Sequence, residues 1–382
     1  MSLDYDVTIF ASNFSNYTLS HVRPVGWRLW RTECVDGVSL VWIRTPAYHS
    51  NGIDRIANIA CFTLLVTLAG ITRRDRPDVI VGVTTHPLAA LAGWTVAKAR
   101  RARFFFEVTD LWPETLIQFG RLRRDSPLAR VLRGVERFLY DRAERIIMLW
   151  RDTDSYVRGT GADAGKIVWI PHGVELDRYA AVRPYDGIVR GPFRLMFLGG
   201  FNSANSIGTI VDAAAVLLAR GRTDIRVHLV GAGLEKPRWV AEVRKRGLIN
   251  VDFPAPAPKT DIAEVLSNAD GFVYGLRDID LYRFGITLNK LCDYLAAGRP
   301  IVFFGHASYD PVALAGAGYV VPPANPAALA DAIQRLAEDS PASRAAMGRR
   351  GYAFLVEHHL IPVLAQKYDV IFRSTTGPAS RE

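Results

Sequence analysis

Three polar residues lie near the start of one predicted helix, within FGITLNKLCDYLAAGRPIV (284–302). They are Asn289, Lys290 and Asp293, in a segment that is otherwise mostly apolar. A helix N-terminus presents free N–H groups and binds anions, and a lysine there adds positive charge. A nearby carboxylate accepts hydrogen bonds from hydroxyl groups. These residue types indicate a site for a phosphate and a sugar; the alternative is an i,i+3 ion pair between Lys290 and Asp293 on an exposed helix face.

The elements that must position this segment alternate between short apolar runs and longer helical runs. Such alternation is typical of a doubly wound parallel sheet. In the N-terminal half, the predicted strands are DVTIFAS (6–12), VSLVWIRTP (38–46), PDVIVGVT (77–84), RFFFEVTD (103–110), ERIIMLW (144–150) and KIVWIPHGV (166–174). The predicted helices are HPLAALAGWTVAKARRA (86–102) and SPLARVLRGVERFLYDRA (126–143).

A change of composition divides the chain into two halves. VELDRYAAVRPYDGIVRGP (174–192) has little apolar periodicity, and the alternation restarts at FRLMFLGG (193–200). We therefore predict two Rossmann-like domains that face a cleft. The predicted boundaries are 1–180 for the N-terminal domain, 181–192 for a linker, 193–350 for the C-terminal domain and 351–382 for a helical tail that packs back on the N-terminal domain.

Candidate site residues follow predicted strands, because ligands of such sheets bind at the carboxyl ends of the strands. Gly199 and Gly200 close one strand, where the absence of a side chain lets the backbone approach a phosphate or a sugar. A plain tight turn is the alternative. Glu107 and Asp110 end the strand 103–110 in the other half.

Composition narrows the class of protein. A net charge of +9 and a pI of about 9.6 favour anionic partners, but no finger spacing or aromatic interleaving supports nucleic acid. Cys34, Cys61 and Cys292 form neither a metal spacing nor a disulfide framework, so we expect a reducing compartment. The chain begins MSLDYDVTIF, with no predicted signal peptide, and a cytoplasmic location is expected.

The most apolar segment is IANIACFTLLVTLAGI (56–71). Its 16 residues are fewer than the roughly 20 that a membrane-spanning helix needs. A buried helix is the favoured interpretation. The alternative is a helix in the membrane interface, with nearby arginines over anionic headgroups, which makes the protein peripheral on the inner face of the plasma membrane.

Five stretches in order resemble a known family: FEVTDLWPETL (106–116), IPHGVELDRY (170–179), LGGFNSANS (198–206), HLVGAG (228–233) and FGITLNKLCDYLAAGRP (284–300). Together they resemble bacterial family 4 glycosyltransferases of the GT-B fold, nearest to the O-antigen, capsule and exopolysaccharide subgroup that includes N-acetylfucosamine transferases. The resemblance implies retaining transfer from a nucleotide-sugar without a metal or other cofactor. It also implies a saccharide or polyprenyl-diphosphate-linked acceptor.

The resemblance assigns the nucleotide donor to the C-terminal domain. Lys290 and the amides of Thr287 to Asn289 are expected to stabilise the charge that develops on the leaving diphosphate, with Arg283 as a second cation. Asp293 matches the carboxylate that binds the ribose hydroxyls. The full donor set is Gly199, Gly200, Asn202, Gly231, Gly233, Arg283, Thr287, Asn289, Lys290 and Asp293.

The acceptor is expected on the N-terminal domain, at Glu107, Asp110 and Glu114. Asp110 is the first candidate for orienting it, and with Lys290 it is a predicted catalytic residue. The alternative for these carboxylates is a helix cap or a salt bridge to Arg121 or Arg123.

The chain departs from the family pattern at several positions. Gly285 stands where many members carry the first of two glutamates, and Thr109 stands where histidine is frequent. The arginine and lysine expected after the strand 193–200 are missing, so Asn202 and Asn205 are predicted to contact the donor by neutral hydrogen bonds. His172 stands where asparagine is frequent, and a structural role is the favoured interpretation for it.

Family members usually open with a strand, a glycine-rich loop and a helix before the strand that matches DYDVTIFAS. The N-terminal domain is therefore expected to lack its first strand and helix. A sheet without that strand exposes an edge and an apolar face, which predicts poor solubility or low activity.

The sequence thus predicts a retaining glycosyltransferase that uses a nucleotide-sugar, with UDP favoured. A noncatalytic nucleotide-binding protein of the same fold is the main alternative. A nicotinamide-dependent oxidoreductase is disfavoured, because GAGLEK (231–236) lacks the third glycine of the dinucleotide fingerprint.

Overall fold

The structure is a computed structural model that describes residues 5–15, 19–49, 52–255, 261–286 and 289–374. The chain folds into two compact units, Met1–Ile170 with Ala365–Glu382, and Pro171–Leu364. The division therefore falls at Ile170 instead of residue 180, and the segment predicted as a linker at 181–192 belongs to the second unit.

The first unit contains a four-stranded parallel sheet, a three-stranded mixed sheet, a two-stranded antiparallel pair and the helices that connect them. Its strands are β1 (Thr8–Ser12), β2 (Phe14–Ser15), β3 (Ser20–His21), β4 (Trp30–Val35), β5 (Val38–Ile43), β6 (Val79–Val83), β7 (Arg103–Val108), β8 (Arg145–Met148) and β9 (Ile167–Trp169). Its helices are α1 (Ile53–Thr72), α2 (Pro87–Arg100), α3 (Glu114–Gln118), α4 (Pro127–Arg142) and α5 (Asp154–Gly159). Strands β6, β7, β8 and β9 form a parallel sheet in that order.

A three-stranded sheet in the order β1-β5-β4 occupies the N-terminal part of this unit. The hairpin between β4 and β5 turns through Asp36 and Gly37, whose φ angles of 51° and 83° suit a two-residue turn of the type that matches strand twist. Strand β4 was not predicted, although Asp-Gly between apolar runs is its signal. β1 lies at one edge of this sheet, and the side chains of Val7 and Ile9 are exposed there.

The second unit contains a six-stranded parallel sheet. Its strands are β10 (Phe193–Leu198), β11 (Ile225–Val230), β12 (Val251–Asp252), β13 (Gly271–Gly275), β14 (Ile301–Phe304) and β15 (Gly318–Val321). Its helices are α6 (Ile207–Ala219), α7 (Lys236–Lys245), α8 (Ile262–Ser267), α9 (Asn289–Ala296), α10 (Pro311–Ala315), α11 (Pro326–Glu338) and α12 (Pro341–His358). The strand order is β12-β11-β10-β13-β14-β15, the doubly wound order whose direction reverses between β10 and β13.

The strands of this sheet are apolar on both faces because helices cover both sides. Phe197, Leu229, Val273 and Phe304 are fully buried in one core with the apolar face of α6. A ligand of such a sheet binds at the carboxyl ends next to the reversal, which here means the ends of β10 and β13.

The C-terminal tail is divided between the two units. Helix α12 belongs to the second unit, whereas residues from Ala365 onward, including most of α13 (Ile361–Arg373), belong to the first. The Phe372 ring lies edge-on to Phe105 at 5.2 Å between centroids, and Arg103 donates to the Phe372 carbonyl. Only the last part of the predicted tail 351–382 therefore packs on the N-terminal domain.

Helix α1 is longer and more exposed than predicted. Val66 and Leu65 pack against the core of the three-stranded sheet, but Ile53 and Leu64 are 84% and 71% exposed. It spans 20 residues, and among the described helices it alone is long and apolar enough to cross a membrane, with 17% of that stretch buried. The interpretation of 56–71 as a buried helix is wrong, because Ile56, Leu64 and Leu68 on one side of the helix are exposed within the described part of the chain.

Candidate functional site

The glycines after β10 and β11 lie where two backbone loops cross closely. Gly231 has φ +141°, and a Cβ atom there would come within 1.9 Å of the Gly199 carbonyl oxygen. Gly233 has φ +150°, and a Cβ atom there would come within 2.4 Å of the Phe201 oxygen. Because only glycine fits these positions, the sequence signal at both is explained by the loop crossing itself.

Helix α9 is fastened to the end of β10 by Tyr294. The Tyr294 hydroxyl accepts from Leu198 N at 2.8 Å and donates to Leu198 O at 3.1 Å, and its ring stacks on Phe272. This attachment places Lys290, one turn earlier, directly over Gly199. A Cβ atom at Gly199 would lie 2.5 Å from Lys290 Cε, so Gly199 makes room for the lysine.

Lys290 is a half-buried cation that has only neutral partners. Its Nζ atom donates to Asn205 Oδ1 at 2.6 Å and lies 5.4 Å and 6.0 Å from the ring centroids of Phe197 and Tyr274. Among the residues that the structure describes, none offers it a carboxylate. Burial lowers the pKa of Lys290 to about 8, so this ammonium group gains from meeting an anion.

Asp293 lies on the same helix, but it does not pair with Lys290. Its Oδ1 atom accepts a hydrogen bond from the Tyr179 hydroxyl, at the end of the short helical turn Leu176–Tyr179. The surface ion pair between Lys290 and Asp293 is therefore not formed. Tyr179 was part of a recognised motif, but nothing in the sequence connected it to Asp293.

The remaining donor candidates are more dispersed. Arg283 is exposed, with its guanidinium 4.7 Å from the Phe284 ring centroid, and it makes no contact with Lys290. Asn202 caps its own turn, since Oδ1 accepts from Ala204 N at 3.1 Å. Thr287 lies outside the described residues, and so does the side chain of Asn289.

A second cation that the sequence did not assign lies beside the glycine loop. Lys236, at the start of α7, donates to Gly231 O at 2.8 Å and lies 5.5 Å from the Phe201 ring centroid. The sequence signal for it is a lysine five residues after Gly231, in GAGLEK (231–236). Lys236 therefore holds the glycine loop in place through its hydrogen bond to Gly231 O.

In the first unit, the ends of β6 and β7 are joined by two threonines. Thr109 N donates to Thr84 Oγ1 at 2.9 Å, and Thr109 Oγ1 donates to Thr84 O at 3.0 Å. Trp150 Nε1 donates to Thr109 O at 3.0 Å from the end of β8. Thr109, where the resembling family often carries histidine, thus fastens the strand ends together and sets the direction of the next residue, Asp110.

Asp110 carries a carboxylate without a partner in the described part of the chain, since no donor there reaches it. The residue as a whole is exposed, yet crowding by protein atoms removes water from the carboxyl group and raises its pKa from 3.8. The alternative of a salt bridge from Asp110 to Arg121 or Arg123 is not found among the residues that the structure describes. An unpaired carboxylate at a strand end is available to a hydroxyl group of a ligand.

The other two carboxylates are occupied. Glu107 accepts from the Tyr368 hydroxyl of α13 at 2.7 Å, and burial raises its pKa. Burial alone would also raise the pKa of Glu114, but hydrogen bonds from Arg124 at 2.6 Å and Gln118 at 2.7 Å outweigh it and lower the pKa. Glu107 and Glu114 thus have protein hydrogen-bond partners, whereas the Asp110 carboxylate has none in the described part of the chain.

Two histidines are held neutral. His86, just after β6, accepts from Ala89 N through Nδ1 at 3.0 Å, and burial together with the charge of Arg55 lowers its pKa to about 4. His172 has its pKa lowered by burial, and its carbonyl accepts from His359 Nδ1 at 3.1 Å. This arrangement agrees with a structural role for His172. No group of three or more His, Cys, Asp or Glu side chains within the described ranges has the arrangement of a metal site.

Two family models match the chain, one in each half. Residues 1–173 match the glycosyl transferase 4-like domain, and residues 192–339 match glycosyl transferases group 1. A probable glycosyltransferase WbjE of Pseudomonas aeruginosa is 27% identical over 121 residues, 32% of this chain and 29% of that protein. D-inositol 3-phosphate glycosyltransferase of Streptomyces avermitilis is 29% identical over 246 residues, 59% of this chain and 50% of that protein. The chain thus spans half or less of these relatives.

Solved structures show the same fold over almost the whole chain. Sucrose-phosphate synthase from Thermosynechococcus elongatus superposes with a TM-score of 0.71 at 19% identity, covering 97% of this chain and 89% of that one. Anabaena Alr3699/HepE in complex with UDP and glucose has a TM-score of 0.65 at 14% identity, covering 89% and 87%. WaaG, a glycosyltransferase involved in lipopolysaccharide biosynthesis, has a TM-score of 0.65 at 17% identity, covering 91% and 90%.

Proposed function

The chain belongs to the glycosyltransferases of the GT-B fold, and on that premise we propose that it is a retaining enzyme that transfers a sugar from a UDP-sugar to a saccharide or lipid-linked acceptor. The role we propose is in bacterial surface polysaccharide synthesis, in the cytoplasm at the inner membrane face. The retaining outcome and the pathway rest on the resemblance to the family 4 subgroup. The similarity to WaaG, a glycosyltransferase involved in lipopolysaccharide biosynthesis, supports the pathway.

The observation that carries the proposal is the Lys290 ammonium group over Gly199. It lies at the strand-order reversal, where ligands of doubly wound sheets bind, and it has no anionic partner among the described residues. In the same part of the chain, no group accepts a hydrogen bond from the Gly200 N–H. A diphosphate supplies negative oxygens for both donors, and the same donors stabilise the charge that grows on UDP as the glycosidic bond breaks.

In this proposal, groups of the second unit also bind the nucleotide beyond its diphosphate. Asp293 accepts hydrogen bonds from the ribose hydroxyls in addition to the one from Tyr179. The Gly231 backbone lies against the Gly199 carbonyl, and this loop crossing is the second element of the proposed nucleotide site. That Alr3699/HepE, a structure of the same fold, holds UDP and glucose supports a UDP-sugar donor.

The acceptor is assigned to the first unit through Asp110. Its carboxylate is the one of the three predicted acceptor-side groups that remains available, since Glu107 and Glu114 have partners. In this proposal the acceptor hydroxyl attacks from the face of the sugar that carries the diphosphate, as retention requires, while UDP departs with the electrons of the broken glycosidic bond. The Asp110 carboxylate orients that hydroxyl and accepts its proton, and its raised pKa brings such a base nearer to neutral pH.

Calorimetric titration is the first test. We expect UDP to bind, GDP to bind more weakly and NAD not to bind, because the site offers a diphosphate cradle without the dinucleotide fingerprint. A panel of UDP-sugars then tests turnover by release of UDP in the presence of a lipid-diphosphate saccharide. A folded protein that binds no UDP contradicts the proposal, whereas tight UDP binding without turnover under any acceptor favours the noncatalytic alternative.

Membrane attachment is proposed through the exposed side of α1. Trp27 is 99% exposed, and its loop and α1 together line a cavity of about 630 Å³ that also includes Arg23 and Arg44. An apolar surface with arginines and an exposed tryptophan suits the interface of an anionic membrane.

We expect the protein to sediment with phosphatidylglycerol vesicles at low salt and to dissociate substantially at high salt. Leu64→Asp should weaken vesicle binding by about tenfold or more, because one buried leucine side chain contributes about 1.5 to 3 kcal/mol. The matched control is Leu314→Asp, an exposed leucine of the second unit, which should bind vesicles like the wild type. Equal loss in both variants, or no sedimentation at low salt, would overturn this attachment.

A further inference from the structure

Asn205 occupies an unusual place for an amide side chain. It is only 4% exposed, its Oδ1 atom lies 2.6 Å from Lys290 Nζ, and its Nδ2 atom lies 2.6 Å from Gly200 O. Because an ammonium group only donates and a carbonyl only accepts, this pair of contacts determines which end of the amide faces which partner. The side chain therefore joins the cation and the glycine turn of the proposed donor site.

We propose that Asn205 is a positioning residue, which holds the Lys290 ammonium over Gly199 and the Gly200 carbonyl in place so that they form one preorganised diphosphate site. This inference rests on the proposed donor site and assigns Asn205 a role other than contact with the donor. The sequence suggested a direct neutral hydrogen bond to the donor, but both ends of the amide are already engaged within the protein.

The neutrality of Asn205 is part of the argument. A neutral carbonyl oxygen orients the ammonium group without cancelling its charge, so the full positive charge remains for a ligand. A carboxylate at the same distance would form an ion pair with Lys290 and compete with the diphosphate.

The position of Asn205 is determined by the packing of α6. The residue ends the short turn Ser203–Asn205, and Ser206 then adopts φ +46° before α6 begins. Ile207 and Ile210 anchor the first turn of that helix in the core. The amide is therefore presented from a rigid element, as a positioning role requires.

Because of the groups around Lys290, the pH dependence of diphosphate binding can report the protonation of its ammonium group. From other elements, it faces the Phe197 and Tyr274 rings and Asn205, and burial raises the pKa of the Tyr274 phenol well above its ordinary value, which keeps it neutral. The carboxylate nearest along its own helix, Asp293, is hydrogen-bonded to Tyr179. Because the pKa of Lys290 is about 8, the affinity for a fully ionised diphosphate should fall as the pH rises above that value.

The test is the affinity for UDP and for inorganic pyrophosphate between about pH 7 and about pH 9.5, measured by calorimetry. Asn205→Ala removes an acceptor from the ammonium group, so affinity at pH 7 should fall about tenfold and the midpoint of the pH dependence should move down by about half a unit or more. Asn205→Asp adds a counter-charge, so affinity at pH 7 should also fall but the midpoint should move up by about one unit or more.

Asn250→Ala is the matched control. Asn250 is 1% exposed and its Nδ2 atom donates to Ala214 O at 2.8 Å, a comparable buried hydrogen bond without contact to Lys290. It should lower the melting temperature and leave the midpoint where it is in the wild type. Each variant is first shown to be folded by its thermal unfolding transition.

Opposite midpoint shifts in the two Asn205 variants support the positioning role. Weaker binding with an unmoved midpoint in both folded variants overturns it and leaves Asn205 as an ordinary packing residue, with the donor site intact. A wild-type protein that binds neither UDP nor pyrophosphate overturns the donor site itself and this inference with it.

Discussion

Replacing Lys290 by alanine is expected to weaken UDP binding by about 100-fold, since hydrogen bonds to charged groups contribute about 1.5 to 3 kcal/mol each. The fold should survive, because two effects on stability oppose each other. The substitution removes a half-buried charge that burial disfavours, but it leaves Asn205 Oδ1 without its donor. Calorimetry with UDP and a thermal unfolding curve measure the two quantities.

The control for Lys290→Ala is Lys245→Ala, which removes an exposed lysine from the last turn of α7 in the same unit. It changes the net charge by the same amount, so a long-range charge effect alone would weaken UDP binding equally in both variants. UDP affinity in Lys290→Ala equal to that of the wild type would mean that the diphosphate lies elsewhere.

Asp110→Asn is expected to reduce transfer by about 100-fold or more while UDP affinity stays at the wild-type value, because general-base catalysis by one side chain contributes about 10² to 10⁴. The amide has the shape of the carboxylate but cannot accept the acceptor hydroxyl proton. In the wild type, transfer should fall toward acidic pH as Asp110 becomes protonated, at a pH above its ordinary 3.8 because its pKa is raised. The variant should lose that acidic limb.

Glu114→Gln is the matched control for Asp110→Asn. Glu114 is four residues further along and is hydrogen-bonded to Arg124 and Gln118, so its loss should affect stability and leave turnover near the wild-type value. Full transfer by Asp110→Asn, or an equal loss in both variants, would remove Asp110 from the mechanism. Loss of UDP binding in a folded Asp110→Asn variant would contradict the assignment of Asp110 to the acceptor side.

The sequence by itself determined the two parallel sheets and the segments that end at the candidate site. Buried parallel strands must be apolar on both faces and connected by helices, so β7, β10 and β11 are visible as short apolar runs between helical ones. Helix starts were equally local: Ser126 followed by Pro127 marks α4, and the Ser126 hydroxyl accepts from Ala129 N at 3.2 Å. Such features depend on neighbours within a few residues.

The partners of the site residues were decided by the tertiary structure. Lys290 meets Asn205 across 85 residues, and Asp293 meets Tyr179 across 114, so no local pattern predicts either pair. In the same way, the Tyr368 hydroxyl donates a hydrogen bond to Glu107, which lies 261 residues away in the sequence. Glu107, Asp110 and Glu114 lie in one motif but have different surroundings. Burial and long-range hydrogen bonds, and not residue type, decide which of these carboxylates has a protein partner.

The exposure of one side of α1 was likewise decided by the tertiary structure. Its composition is that of a core helix, and only the arrangement of the sheet and α2 around it shows that Ile53 and Leu64 face away from protein. Local sequence determines which residues can form an apolar face or an anion site. The tertiary structure decides what that face or site meets, since the contacts that satisfy a charge or bury a side chain come from chain segments far apart in sequence.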